Sequence, residues 1–304
     1  MTSPSTLVAV VTIVAATLAT GCYGVDELTG TWEPIDSIGE PLIAEHGPGP
    51  LASGAPERLR IGSFNVHYAR QPEALARQLL ASRAMSRVDV LLLQEIEAYP
   101  EEPTSRTRRL ADALSMTSLY VPARTVGTGT HGLAILSRHP VSNARVMQLP
   151  HADAAWHERD RIAVAVDVEV GGRSLTIVNL HLDVRISVID RIRELHPAVI
   201  DLPGTAVIGG DFNTNPWAWV GSAVPLTSTK AIVGQDQAVV VDDYLGALGF
   251  TSPISPGQDT FNVPWIGGRL DNIYPRGLAV HGAGVATDVA GSDHWPIWVD
   301  VTIP

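Results

Sequence analysis

Several segments of this 304-residue chain place a carboxylate, amide or imidazole where a strand-like run ends or begins. They are Asn65 in Ser63-Phe64-Asn65-Val66-His67, Glu95 in Leu91-Leu92-Leu93-Gln94-Glu95, and His181 and Asp183 in Asn179-Leu180-His181-Leu182-Asp183. Asp211 and Asn213 follow in Gly209-Gly210-Asp211-Phe212-Asn213, and Asp293 and His294 in Gly291-Ser292-Asp293-His294-Trp295-Pro296. Gathered in one place, such groups bind a divalent cation and cleave a phosphate ester. That reaction must neutralise the phosphate charge, make a water nucleophilic and stabilise the leaving oxygen. A hard cation held by a few carboxylates meets the first need and helps the third.

Each residue type suits part of this chemistry. Glu95 sits at the mouth of a buried strand, where a desolvated carboxylate attracts a cation. Asp211 and Asn213 are two residues apart, so in extended chain they share a face. Asp211 can take a proton from water while Asn213 orients it or touches a phosphate oxygen. His181 shares a face with Asp183, and its imidazole can donate to a phosphate oxygen or a leaving group. Asp293 and His294 are adjacent and point different ways, one towards a metal and the other towards the phosphate. Asp271, flanked by apolar residues in Leu270-Asp271-Asn272-Ile273, can orient His294 as a carboxylate–imidazole pair. Taken singly, each has a plainer alternative: a strand-end Glu, an Asp-Asn turn after glycines, a structural His.

The pattern around these residues predicts the elements that hold them. Residues 59–67 alternate as a strand, and 73–84 have helical spacing with Leu75, Leu79 and Leu80 on one face. Val88 to Gln94 is a near-continuous apolar run, hence a strand buried on both faces. Residues 104–115 read as a helix, 119–121 and 132–137 as strands, and His139-Pro140 begins a turn. Strands 162–170 and 174–182 flank Gly171-Gly172, a hairpin signal. A helix over 188–195 precedes a strand at 206–208, and a helix over 242–248 is closed by Gly249. Strands at 269–274 and 295–302 complete the chain. Two β-rich halves with helices outside give an α+β fold, a four-layer α/β/β/α sandwich of two mixed sheets packed face to face. Active residues then collect on loops at one edge.

Apolar residues make up 45% of the chain and charged residues 17%, a globular composition able to bury one large core or two modest ones. The net charge of -11 argues against broad, sequence-independent nucleic-acid binding, which relies on Lys and Arg facing phosphates. It leaves room for a local basic groove. Cys22 is the single cysteine, so no intramolecular disulfide forms. The uncharged apolar run from Leu7 to Thr20 is too short to span a bilayer and ends in Leu18-Ala19-Thr20-Gly21-Cys22. This looks like a lipoprotein-type signal over residues 1–21, with Cys22 acylated as the first residue of the mature chain. The first six residues lack Lys and Arg, and Ala19 stands where a larger aliphatic is usual; a plainly secreted protein and an uncleaved anchor are the alternatives. Export places the chain outside the cytoplasm. Residues 22–57, with Gly47-Pro48-Gly49-Pro50, read as a flexible linker that lifts a catalytic domain at 58–304 off a membrane.

In order and spacing, the motifs Phe64-Asn65, Gln94-Glu95, Gly132-Leu133-Ala134-Ile135-Leu136-Ser137-Arg138, Asn179-Leu180-His181-Leu182, Gly210-Asp211-Phe212-Asn213, Arg269-Leu270-Asp271 and Ser292-Asp293-His294 form a set. On that set the chain, over about residues 58–303, resembles the endonuclease/exonuclease/phosphatase superfamily of deoxyribonucleases, abasic-site endonucleases, bacterial sphingomyelinases and inositol polyphosphate 5-phosphatases. The resemblance implies Glu95 as principal metal ligand, helped by Asn65 and Asp293, with Mg2+ or Mn2+ as the cation. It implies that Asp211 orients or deprotonates the attacking water and that Asn213 supports the phosphate. His294, paired with Asp271, then contacts the scissile phosphate. His181 stands where the deoxyribonuclease and sphingomyelinase branches have a catalytic histidine and the abasic-site branch a tyrosine. His67 stands where the abasic-site branch has a second acidic ligand, which leaves one or two cations open.

The expected substrate is a phosphate ester: nucleic acid, a nucleotide or a phospholipid head group. A phosphodiesterase or nuclease is the first expectation. A sphingomyelinase or phospholipase C-like enzyme is the second, and a non-catalytic surface-binding lipoprotein the third. A phosphomonoesterase stays open as well. No obligate protein partner is evident. Trp217, Trp219 and Trp265 could stack on bases, dip into lipid or pack under loops, and the loop 220–236 is expected to shape specificity. His157, Arg159 and Arg161 read as a solvated strand edge.

Overall fold

The computed structural model describes residues 58–150, 161–184, 186–215, 236–263 and 267–304. The expected signal, Cys22, the expected linker, His157, Arg159, Trp217, Trp219, Trp265 and all but the last residue of the 220–236 loop lie outside the described residues. Eleven strands and four α-helices are described: β1 (Leu59–Tyr68), α1 (Pro72–Ala81), β2 (Val90–Ala98), α2 (Arg106–Leu114), β3 (Thr117–Val126), β4 (Gly129–Ser137), β5 (Val141–Gln148), β6 (Ile162–Val170), β7 (Arg173–His181), α3 (Val188–Val199), β8 (Ala206–Asp211), α4 (Gln237–Ala247), β9 (Asp271–Arg276), β10 (Ala279–Val285) and β11 (Ile297–Thr302).

One sheet has the order β10-β11-β1-β2-β4-β3 and the other β5-β6-β7-β8-β9. Each is mixed, with one parallel pair: β1 with β2 and β7 with β8. Side chains alternate along a strand, so a strand packed on both faces feeds two cores. Leu92 faces the layer between the sheets, with Ile61, Val164, Ile177, Val207, Ile273 and Val299. Leu91 and Leu93 face outwards with Phe64, under Leu75 and Leu79 of α1 and Leu110 and Leu114 of α2. Val178, Leu180 and Ile208 face outwards from the second sheet, under Leu195 and Val199 of α3 and Val241 and Leu245 of α4. Each such burial contributes about 1.5–3 kcal/mol. The result is the four-layer sandwich, with helices on both outer faces.

What positions the site is a change of residue type along the inward faces. The inter-sheet series runs Leu59, Ile61, then Ser63 and Asn65 on β1; Val90, Leu92, then Gln94 on β2. It runs Leu175, Ile177, then Asn179 and His181 on β7, and Val207, Gly209, then Asp211 on β8. The apolar layer thus ends at one edge of both sheets. Gln94 spans that boundary: its Nε2 donates to Asn179 Oδ1 at 2.7 Å and to Ser63 Oγ at 3.2 Å. Asn179 Nδ2 donates in turn to the carbonyls of Leu93 and Ala134, each at 2.9 Å.

Several expected boundaries shift. The first helix ends at Ala81, and a short 3-10 turn follows at Met85–Arg87. α3 runs through Pro197 to Val199, beyond the expected end at Leu195. α4 begins at Gln237 rather than Asp242, because the side chain of Asp236 caps it by accepting from Ala238 N at 3.0 Å. Gly249, with φ 82, closes α4: its N–H donates to Gly246 O and that of Phe250 to Leu245 O. Gly171 and Gly172 have φ 58 and 76, which a two-residue hairpin turn between β6 and β7 requires. β5 and β10 were not expected; each is an edge strand, and neither carries a fully buried residue. Arg161 is buried, 5% exposed, not on a solvated edge; its Nε lies 3.9 Å from Asp183 Oδ2.

Candidate active site

At the polar edge the sheets contribute different groups. The six-stranded sheet brings Asn65 from the end of β1 and Glu95 from β2, with Asp293 and His294 from the segment before β11. The five-stranded sheet brings His181, Asp211 and Asp271 from β7, β8 and β9, with Asn213 just beyond β8. Asn65, Glu95, His181, Asp211, Asn213, Asp271 and His294 are all buried, while Asp293 is partly exposed.

Strict alternation would turn Glu95 outwards with Leu91 and Leu93. Instead its φ is 59, and the β2–β4 register shifts between Leu93 and Ile96. This bulge brings Glu95 Oε1 to 4.0 Å from His181 Nε2. On the other sheet Gly210 has φ 150, and a Cβ there would lie 2.0 Å from Leu180 O. A glycine is needed for β8 to approach β7 closely beside Asp211. Asn213, with φ 50, turns back so that its N–H donates to Asp211 Oδ1 at 2.8 Å and its Nδ2 to Leu182 O at 2.8 Å. Leu182 O thus takes one of the two hydrogens of the Asn213 amide.

Asp271 and His294 form the expected pair, with Oδ2 and Nδ1 at 2.7 Å. His294 Nε2 then faces Asp211 Oδ2 at 3.9 Å, and His181 Nε2 lies 3.6 Å from the same oxygen. Asn65 Nδ2 donates to Asp211 Oδ2 at 3.1 Å. Asp211 is thus shared by four neighbours. Burial, and then the charge of Asp271, lift its pKa to about 6, against the opposing pull of His294, Asn65 and the Asn213 amide. Burial alone would keep His294 neutral, but the carboxylates of Asp271 and Asp211 outweigh it and hold the pKa well above the usual histidine value. Burial lowers His181 well below that value, and the positive charges of Arg161, His131, His294 and Arg124 add to the effect. The site therefore holds one cationic and one neutral imidazole beside a carboxyl that titrates near neutrality.

Oxygen and nitrogen atoms of Asp211, Asp271 and His294 lie within 4.8 Å of one another, a spacing that a cation could bridge. The hydrogen bond between Asp271 and His294 argues otherwise. A protonated imidazole offers a donor and a positive charge, not a lone pair. The three residues fit a hydrogen-bonded relay better. Asp293 fits a cation: its Oδ2 is buried and has no hydrogen-bond partner among the described residues. An ionised oxygen left without a donor in such a place is costly. Burial raises the Asp293 pKa, but His67 and His294 more than offset this and keep it below the usual carboxylate value. Asp293 Oδ1 lies 3.0 Å from His67 Nδ1, and against its burial the charges of Asp293 and Glu95 both raise the His67 pKa. Glu95, Asp293 and the amide of Asn65 are hard oxygen donors of the kind a hard divalent cation takes.

Thr260 and Phe261 support the site from outside the motifs, and Ser292 from within one. Thr260 Oγ1 accepts the N–H groups of Leu270 and Asp271, both at 3.0 Å, and so fixes the start of β9. Phe261 packs edge-on to the His294 ring at 5.0 Å. Ser292 Oγ donates to Asn65 O at 2.7 Å and accepts from His294 N at 3.1 Å, pinning the 292–294 segment to β1. Its place two before His294 is the pattern of a serine turn and was readable.

A family model for the Endonuclease/Exonuclease/phosphatase family matches residues 62–294. No curated protein matches the sequence. Among solved structures, the fold is similar to an endonuclease/exonuclease/phosphatase from Beutenbergia cavernae DSM 12333, with TM-score 0.62 and 19% identity over 82% of this chain and 72% of that one. It is similar to D. rerio TDP2 complexed with single strand DNA product, with TM-score 0.55 and 17% identity over 81% of this chain and 100% of that one. It is also similar to a mannosyl-6-phosphatase from Bacteroides thetaiotaomicron VPI-5482, with TM-score 0.58 and 15% identity over 81% of this chain and 100% of that one. At these identities the likeness extends to the fold.

Proposed function

The chain belongs to the endonuclease/exonuclease/phosphatase family, a family of phosphoric ester hydrolases, and on that premise we propose that it is a divalent-metal-dependent phosphodiesterase acting on nucleic acid or a nucleotide. The observation that carries this reading is the buried line from Asp271 through His294 to Asp211, with separations of 2.7 and 3.9 Å and His181 alongside.

Asp211 takes a proton from the attacking water. With a pKa of about 6, its carboxylate is available at neutral pH and still basic enough to accept. His294, held cationic by Asp271, gives a charge-assisted hydrogen bond from Nε2 to a phosphate oxygen. His181, neutral, donates its one ring N–H to another phosphate oxygen or to the leaving oxygen. Asn213 keeps Asp211 in place through its backbone N–H. Asn65, Glu95 and Asp293 would hold Mg2+ or Mn2+. When bound, that cation neutralises phosphate charge and stabilises the leaving oxygen.

The named neighbours, one with a DNA product and one a sugar phosphatase, do not choose among substrates. A lipid phosphodiesterase of the sphingomyelinase type is the second reading, favoured by the apolar run from Leu7 to Thr20 that ends at Cys22. We propose with it that residues 1–21 are an export signal and that Cys22 is acylated, so that the chain works at a membrane surface outside the cytoplasm. Labelled palmitate incorporated by the wild type but not by Cys22→Ser would support this, and equal labelling would refute it.

The function is tested by nicking of supercoiled plasmid with the purified full chain, in Mg2+, in Mn2+ and in chelator, against His294→Ala. Metal-dependent nicking lost in the variant is expected. No nicking, with metal-dependent head-group release from sphingomyelin vesicles, would replace the first reading by the second. Inertness of both proteins towards DNA, lipid and small phosphodiesters would leave a surface-binding lipoprotein.

A further inference from the structure

Resting on the phosphodiesterase reading above, we propose that a cavity between His67 and α1 seats the leaving group of the substrate and selects a nucleoside for that place. The cavity holds about 420 Å3 and lies between the turn after β1, one face of α1 and Gly291, two residues ahead of Asp293. It meets the site at His67, whose partly exposed ring lines it while Nδ1 lies 3.0 Å from Asp293 Oδ1. Its volume falls in the range of small-molecule sites.

The chemistry fixes which part of the substrate points there. Water attacks phosphorus from the side of Asp211, and the leaving oxygen departs roughly in line on the opposite side. The residues for the cation that stabilises that oxygen are Asn65, Glu95 and Asp293. The departing group therefore lies towards Asp293 and His67, where the cavity opens. The water oxygen forms the new bond to phosphorus, and the bond from phosphorus to the leaving oxygen breaks. Asp211 takes one proton from the water and the leaving oxygen gains one, so a neutral alcohol is released.

The lining selects the kind of alcohol. Ala74 and Leu75 give the cavity an apolar patch. Gln71 and Gln78 bring two amides, each with two donor hydrogens and an acceptor oxygen. Gln71 is the residue that caps α1, yet its side chain makes no capping hydrogen bond. Arg70 adds a planar guanidinium, 5.4 Å from the centre of the Tyr68 ring. A nucleobase has an apolar face for Ala74, Leu75 or the guanidinium plane, and an edge of donors and acceptors for the amides. A lipid leaving group would strip water from Arg70, Gln71 and Gln78 and return no hydrogen bond from its hydrocarbon chains. The wall nearest the site is a turn in which His67, Tyr68 and Ala69 have φ 42, 72 and 47. Three successive left-handed residues without a glycine are uncommon, and such backbone is retained at ligand sites.

The methyl esters of adenosine 3′-phosphate and adenosine 5′-phosphate test this with the purified full chain in Mg2+ or Mn2+. Each has two bonds that can break, one releasing adenosine and the other methanol. Both products are aliphatic alcohols, so their ratio reads the cavity rather than the chemistry. The wild type is expected to release adenosine over methanol by about tenfold or more from at least one ester. Ala74→Leu, which fills the cavity and suits a helix, should lower that ratio by about tenfold. Gln78→Ala removes one exposed amide, which leaves the fold intact, and should lower it by about threefold. Methanol as the main product of both esters, or a ratio unchanged in both variants, would overturn the proposal. Release of neither product, with either metal, would overturn it by removing the phosphodiesterase reading beneath it, a result distinct from the wrong ratio.

Discussion

The two sheets contribute to one edge in different ways. The five-stranded sheet presents His181, Asp211 and Asp271 from regular strands in register, with His181 paired to Asp211 and Asp211 to Asp271. The six-stranded sheet presents Asn65 and Glu95 through bulges and left-handed residues, at His67 to Ala69 and at Glu95 itself. On our reading the regular side handles protons and the irregular side holds the cation. Regular pairing fixes separations between neighbouring strands, which suits groups that pass a hydrogen between fixed atoms. A bulge re-aims one side chain off the alternation, which suits ligands that must converge from several directions on one point.

That division can be broken one side at a time. The largest expected effect is on the regular sheet: Asp211→Asn should lower kcat by about 10³-fold while Mn2+ binding stays as in the wild type. Steady-state kinetics at saturating metal, beside a Mn2+ titration, would show it, and a parallel loss of metal would merge the two roles. On the irregular sheet Glu95→Gln should do the opposite, weakening Mn2+ by about 100-fold and leaving most of kcat when metal is raised to saturation.

The next effect is one of pH. Activity needs Asp211 ionised, so it should fall about tenfold per unit as pH drops below about 6, visible as the acid limb of a kcat profile. Stability should respond in the opposite direction. Folding raises this pKa from 3.8 to about 6, so the stability it contributes is full below 3.8 and is lost as pH rises through about 6. A profile flat between pH 5 and 7 would remove Asp211 from the role of base.

The smallest effect belongs to the seam between the sheets. Asn179→Ala removes the partner of Gln94 and of two buried carbonyls, and should destabilise the fold by about 1–3 kcal/mol in urea unfolding. Because Asn179 touches none of the reacting groups, kcat per folded molecule should change little; a large loss would make the seam part of the machinery.

Much of this was legible in the chain. The shift from Leu and Ile to Asn, Gln, His and Asp at the end of each alternating run marks both the strands and the edge where they open. Edge strands β5 and β10 were not legible, because they bury too little to show an apolar pattern. Arg161 looked like a solvated edge residue, since nothing local says that Asp183, 22 positions on, lies against it. His67 was noted only as a departure from an acidic ligand; its pairing with Asp293 joins opposite ends of the domain.

By itself the sequence determined which chemical groups stand at strand ends and, Glu95 apart, which face each strand residue takes, because alternation is a local property of extended chain. It did not determine how far apart they stand or how they are charged. The 2.7 Å pairing of Asp271 with His294, the sharing of Asp211 among Asn65, His181 and His294, and the bulge that turns Glu95 inwards all come from the packing of two sheets. So does the pKa of about 6 at Asp211, since it depends on burial and on a second carboxylate brought close by strand pairing. Separation and desolvation are set by contacts between residues distant in the chain, and only the tertiary structure fixes those.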